Sequence, residues 1–164
     1  MRQKGSDPAN PVSYEHVNLL LKIYDLRREQ KLRAARQWFM MEFHANSLED
    51  YRQKYTAGSD EEAYIRMVTS YWDMVAAIVN HGAIDDDLFL ETTGEHFLVW
   101  EKYKHLVPAI RSMFKNPFFL HNLEKLAERT EEWREKLAPG STEAFRQFLQ
   151  ARWAQPAPKA RKRR

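Results

Sequence analysis

Between Pro11 and Pro108 the chain has no proline, and between Gly5 and Gly58 it has no glycine. Proline removes a backbone donor and glycine loses the most backbone freedom on folding, so these two residues interrupt helices more than any others. Their absence predicts one unbroken helix over residues 11–45, roughly 30 residues and about 45–50 Å long at 1.5 Å per residue. Helix-period apolar spacing returns in every later segment. The expected fold is all-α, a helical bundle with one long N-terminal helix and further helices near residues 47–55, 60–81, 86–92, 95–114, 117–138 and 142–154. The expected organisation is a flexible N-terminus over residues 1–10, one helical domain over 11–154, and a flexible basic tail over 155–164.

Start and stop residues support these boundaries. Asn10-Pro11 or Ser13 can begin the first helix, Ser47 the second, and Asp85 the short one over residues 86–92, since short polar side chains accept from the free N–H groups of a first turn. Ser59-Asp60-Glu61-Glu62 has the S-x-x-E spacing of a capping box. Gly82 suits the residue just past a helix end. Pro108 is expected to kink its segment, because it lacks an N–H and disfavours a helical Val107. Asn116-Pro117 is expected to restart a helix, Pro139-Gly140 to end it, and Ser141 to cap the last one.

Two apolar stripes run along the N-terminal helix. Val17, Leu21, Tyr24, Arg28, Leu32, Ala35 and Phe39 form one; Leu19, Ile23 and Leu26 form another that then turns polar at Gln30, Arg33 and Gln37. A helix apolar on several sides must be covered on several sides. The bundle is expected to cover the first stripe, leaving Leu19, Ile23 and Leu26 as the self-association face of a homo-oligomer, most simply a two-fold dimer. The rival is that Phe145, Phe148 and Leu149 of the last helix fold back over that face.

Composition excludes more than it assigns. The 164 residues contain no cysteine, so disulfides, thiolate zinc sites, iron–sulfur clusters and cysteine nucleophiles are absent. None of the six histidines follows a glutamate by three residues, as a ferritin-like di-metal site requires, and there is no H-E-x-x-H. Glu101/His105 and Glu91/Glu95 are spaced to share a helix face, which is ordinary for solvated helices. Asp85-Asp86-Asp87 fits helix capping better than an acid cluster. No G-x-x-x-x-G-K-[ST], G-x-G-x-x-G or G-x-S-x-G occurs, and five glycines leave little for phosphate-cradling loops. Neither a cofactor nor a catalytic residue is expected. Asp73 is the odd polar residue in the apolar run 71–79, and is expected on its narrow exposed edge. The N-terminus carries no signal core, and the densest apolar stretch, residues 74–79, is too short to span a bilayer, so a soluble, cytoplasmic protein is expected.

Net charge is +3, unevenly spread: the middle, residues 46–100, carries three basic and eleven acidic side chains, and the tail carries five basic and none acidic. Lys159, Arg161, Lys162, Arg163 and Arg164 are candidates for contact with nucleic acid or another anionic surface, together with the basic stretch over residues 22–36. Trp38, Trp72, Trp100 and Trp133 supply either core or a small-ligand pocket.

The arginine-rich helix ending Arg36-Gln37-Trp38-Phe39, the helix ending Asn80-His81-Gly82-Ala83-Ile84-Asp85, and the Trp100 segment running to Pro108 and Arg111 resemble a bacterial all-helical family of unknown function. That family often carries an N-terminal membrane helix, which is not expected in this chain. The resemblance covers about residues 15–135 and implies a fold class without an activity. The reading that follows is a non-enzymatic interaction or scaffold module, self-associating. Nucleic-acid or anionic-surface binding and small-ligand binding stand as alternatives.

Overall fold

The computed structural model describes residues 12–153. The helices are α1 (Tyr14–Arg27), α2 (Gln30–Met41), α3 (Leu48–Lys54), α4 (Asp60–Asn80), α5 (Asp86–Thr92), α6 (Glu95–Tyr103), a 3-10 turn (Lys104–Leu106), α7 (Val107–Phe114), α8 (His121–Leu137) and α9 (Ser141–Trp153). The described residues contain no strand. The expected flexible ends, residues 1–10 and 155–164, lie outside the described residues.

α4 is the centre of the bundle. Val68, Trp72, Val75 and Ala76 are completely buried, which fits the scarcity of polar residues in its second half. It packs against α2 and α8, and α6 packs on both α8 and α4. Ser59 caps it, accepting from Glu62 N–H at 3.1 Å. The reciprocal half of the capping box is not made, because the Glu62 carboxylate pairs with Arg66 at 2.7 Å. Gly82 ends the helix with φ +74°, and Ala83 N–H reaches back to Ile78 O at 3.2 Å. This is the left-handed helix terminus that glycine permits without a Cβ clash.

The long N-terminal helix is two helices. Glu29 breaks it with φ −52° and ψ 139°, and its carboxylate caps α2 by accepting from Leu32 N–H at 2.8 Å. The reason is the register of the buried faces. α1 buries Ile23, whereas α2 buries Leu32, Ala35 and Phe39. Leu32 lies nine residues after Ile23, which at about 100° per residue is half a turn out of phase. One straight helix cannot turn both faces to the same core, and the break at Arg28-Glu29 allows it.

Two further boundaries depart from the sequence reading. The 95–114 segment passes through the 3-10 turn, which ends at Leu106; Pro108 then sits in the first turn of α7, where its missing N–H is harmless. α8 does not begin at Pro117. Residues 116–119 form a turn, Leu120 takes the left-handed conformation at φ 53°, and the helix starts at His121. A branched residue at positive φ is strained, so something must hold it. Leu120 is itself buried, and the next turn is capped from another helix, because Leu123 N–H donates to Asp73 Oδ1 of α4 at 2.9 Å. Asp73, expected on an exposed edge, is therefore a tertiary helix cap. Asp73→Ala should cost about 1 kcal/mol of stability in urea denaturation, and Asp73→Asn, which keeps an acceptor, only a few tenths.

α9 begins at Ser141, the residue expected to cap it, and Ser141 Oγ donates to Arg134 O rather than capping. The Glu135 carboxylate takes its place, accepting from Gly140 N–H at 2.7 Å and Thr142 N–H at 2.9 Å. Phe145 lies against Phe97 of α6 at 5.9 Å, and Leu149 is buried, so these residues pack on the main bundle rather than folding back over α1.

Candidate functional site

α1 is apolar on two sides, and the bundle covers the opposite one from that expected. Ile23 is 4% exposed, and Leu19 and Leu20 pack against the core beside it. Tyr14, Val17, Leu21 and Tyr24 remain 79, 39, 57 and 50% exposed, and Leu26 is exposed on a separate side. Of the expected association residues, then, Ile23 belongs to the core, Leu19 is half-buried, and Leu26 is open. The face exchange follows from the helix break. The stripe beginning Val17-Leu21-Tyr24 is continuous with Leu32-Ala35-Phe39 only in a straight helix.

Side chains from the bundle hold α1 by its backbone. Tyr71 of α4 donates its hydroxyl to Ile23 O at 2.7 Å, and Arg36 of α2 donates to Arg27 O at 2.9 Å. Arg36 also makes a two-pronged ion pair with Glu95, the first residue of α6. Trp72 Nε1 donates to the same carboxylate at 3.3 Å. The Glu95 hydrogen bond, outweighing burial, raises the Arg36 pKa, so the guanidinium stays charged. Burial is the main influence on Tyr71, pushing its hydroxyl up to about 12, which keeps it a donor at neutral pH. Glu95 thus joins α2, α4 and α6 and does not share a site with Glu91, which is exposed.

A second polar centre lies at the other end of α6. Lys102 is buried and donates to the carbonyls of Phe39 and Met40, both at 2.8 Å, closing the C-terminus of α2. Burial depresses its pKa to about 8. Beside it, Arg146 of α9 spans Glu101 and Glu131, with shortest contacts of 3.1 and 2.7 Å. Burial works to raise the Glu101 pKa, but hydrogen bonds from Arg146 and Lys104 outweigh it and hold the carboxyl below its usual range. His105 bonds to Ala45 O at 2.7 Å, so Glu101 and His105 serve separate partners. A cavity of about 400 Å³ lies here, bordered by Phe43, Lys102, His105 and Trp153.

A cavity of about 390 Å³ lies between the start of α6 and the facing sides of α8 and α9, lined by Met40, Phe97, Leu98, Trp133, Arg134 and Phe145 among others. Of the four tryptophans considered for a pocket, only Trp133 borders either cavity. Trp72 and Trp100 are buried, and Trp38 packs against the core, facing Tyr55 edge-on at 5.6 Å.

Sequence reasoning missed His96, Lys102 and Arg134; it offered Arg36 as a partner for the acidic middle of the chain without singling out Glu95, which is the partner found. For two of the missed residues a signal existed. His96 and Lys102 fall at helical spacing from Val99, Tyr103 and Leu106, so both sit on the buried face of their segment. Nothing local marks Arg36 or Glu95, which find each other across 59 residues.

The acidic triplet resolves into separate jobs. Asp85 caps α5 through Leu88 N–H at 2.9 Å, and Asp86 pairs with Arg129. Among the described residues, no group of three or more His, Asp or Glu is placed to hold a metal ion. No helix among them is long and apolar enough to cross a membrane. The basic candidates Lys159, Arg161, Lys162, Arg163 and Arg164 lie outside the described residues.

Compared with known proteins, residues 14–130 match a family model described as a domain of unknown function, DUF4760. No curated protein and no solved structure matches the chain.

Proposed function

We propose that this chain, which belongs to the DUF4760 family of unknown function, works as a non-enzymatic interaction module that pairs with a second copy of itself through the outward face of α1. The observation that carries the reading is that face: Tyr14, Val17, Leu21 and Tyr24 all stand exposed on one side of a helix whose other side is already packed. Contiguous exposed apolar residues mark interaction surfaces.

A second copy is the occupant the face fits best. The residues are spaced three, four and three apart, and they read aromatic, aliphatic, aliphatic, aromatic in either direction. Two such helices crossing antiparallel about a two-fold axis set Tyr14 against Tyr24 and Val17 against Leu21. A two-fold contact is self-complementary in this way.

Sedimentation across a concentration series tests the reading. The wild-type protein should associate, and Leu21→Glu should weaken association by more than about tenfold while leaving helicity unchanged, since Leu21 points outward. Ile23→Glu should instead unfold the protein, because Ile23 is core. A wild-type protein that stays monomeric at high concentration, or a Leu21→Glu variant that associates as well as wild type, would remove the proposal.

A further inference from the structure

Four buried side-chain polar atoms among the described residues have no hydrogen-bond partner: His96 Nδ1, Arg111 Nη2, Arg134 Nε and Thr142 Oγ1. Buried polar groups are nearly always satisfied, so each exception needs a cause. Arg111 Nη2 is in ion-pair contact with Glu124 at 2.8 Å, which meets its charge. Of the other three, one reaches the cavity of about 390 Å³ between α6, α8 and α9. Arg134 lines it. His96 bonds through Nε2 to Thr130, another lining residue, at 2.8 Å. Thr142 lies one helical turn before Phe145, which also lines it.

The lining is mostly apolar and holds one guanidinium with an unpaired Nε. Arg134 lies over the Phe145 ring at 4.9 Å and the Phe97 ring at 5.9 Å. Its Nη2 donates to Ser141 O at 3.1 Å, which leaves Nε unpaired. The acid in the lining, Glu95, is already neutralised by Arg36. A guest in this cavity therefore meets an apolar wall and one guanidinium. The volume falls at the small end of the range for small-molecule sites.

We propose that this cavity binds a small amphipathic monocarboxylic acid, its carboxylate on Arg134 and its apolar body among Met40, Phe97, Leu98 and Trp133. A monoanion matches the single available cation, whereas a dianionic phosphate would leave one charge unpaired in an apolar surround. The planar guanidinium suits a carboxylate in particular.

Titration calorimetry with n-octanoate and with 1-octanol, which shares the tail and lacks the charge, tests this directly. Octanoate should bind at one site, and octanol at least about tenfold more weakly. Arg134→Gln should bring octanoate down to the octanol level and leave octanol unchanged. Arg134 also ties α8 to Ser141, so a second variant is needed should this one not fold. Leu98→Trp fills the cavity from another wall without touching the cation, and should abolish binding of both probes. A wild-type protein that binds no octanoate, or binds octanol equally well, overturns the proposal. So does an Arg134→Gln or Leu98→Trp protein that keeps wild-type octanoate affinity.

Discussion

Trp72→Ala should lower the unfolding free energy by about 3–5 kcal/mol, the range for truncating a fully buried aromatic residue. Trp72 is completely buried on the central helix. Its ring meets Tyr71 edge-on at 5.0 Å and His96 at 6.0 Å, and the Arg27 guanidinium lies 6.0 Å from its centre. Truncation leaves a cavity where these groups converge. It also removes the indole donor to the Glu95 carboxylate that Arg36 holds. Trp72→Phe keeps most of the volume and loses the donor, so about 1–2 kcal/mol is expected. Urea denaturation followed by circular dichroism measures both. A loss below about 1 kcal/mol for the alanine variant would mean that the α1–α2–α4 junction does not depend on this ring.

Stability should also fall steeply in mild acid, with His96 as the cause. His96 is completely buried, and burial depresses its pKa from 6.5 to about 3. Thr130 donates its hydroxyl to Leu126 O at 2.7 Å, so it accepts from His96 Nε2–H, and Nδ1 carries no proton in the fold. Above about pH 6.5 the ring is neutral in both states and its contribution is fully present. Between there and about pH 3 the unfolded chain takes up a proton that the folded chain refuses. Each pH unit of descent then costs about 1.4 kcal/mol, or about 3 kcal/mol by pH 4. Carboxylates such as Glu101, held low in the fold, add their loss only below about pH 4.5. The window from pH 6 to 5 therefore isolates the histidine. His96→Gln, which stays neutral and can still donate to Thr130, should flatten the profile in that window. An unchanged slope would show that another group titrates there.

What the sequence made legible was local. Ser47, Ser59 and Asp85 cap the helices they precede, and Gly82 ends α4, because each acts on backbone groups within a few residues of itself. The break at Glu29 was not legible, since no glycine or proline marks it and its cause is the phase between Ile23 and Leu32 relative to a core built from distant segments. The start of α8 was hidden for the same reason: Asn116-Pro117 looks like a helix start, yet the cap comes from Asp73, 50 residues earlier. On the site side, periodicity found two apolar faces on α1. Which of them meets the bundle was decided by the break, and so came out reversed. The tail candidates had a charge signal only.

The side chains at the helix ends also determine how the molecule comes apart. Tyr71 and Arg36 hold carbonyls near the end of α1, Lys102 holds those of α2, and Asp73 holds the first turn of α8. In each case a different helix completes the terminus, so a helix released from the bundle loses its end bonds along with its packing. Fraying, which in isolated helices proceeds turn by turn from the tips, is thereby tied to separation of whole elements. The interior helices are therefore expected to open together, whereas α1, whose outer face is open to solvent in the single chain, is expected at the low end of the protein's stability range.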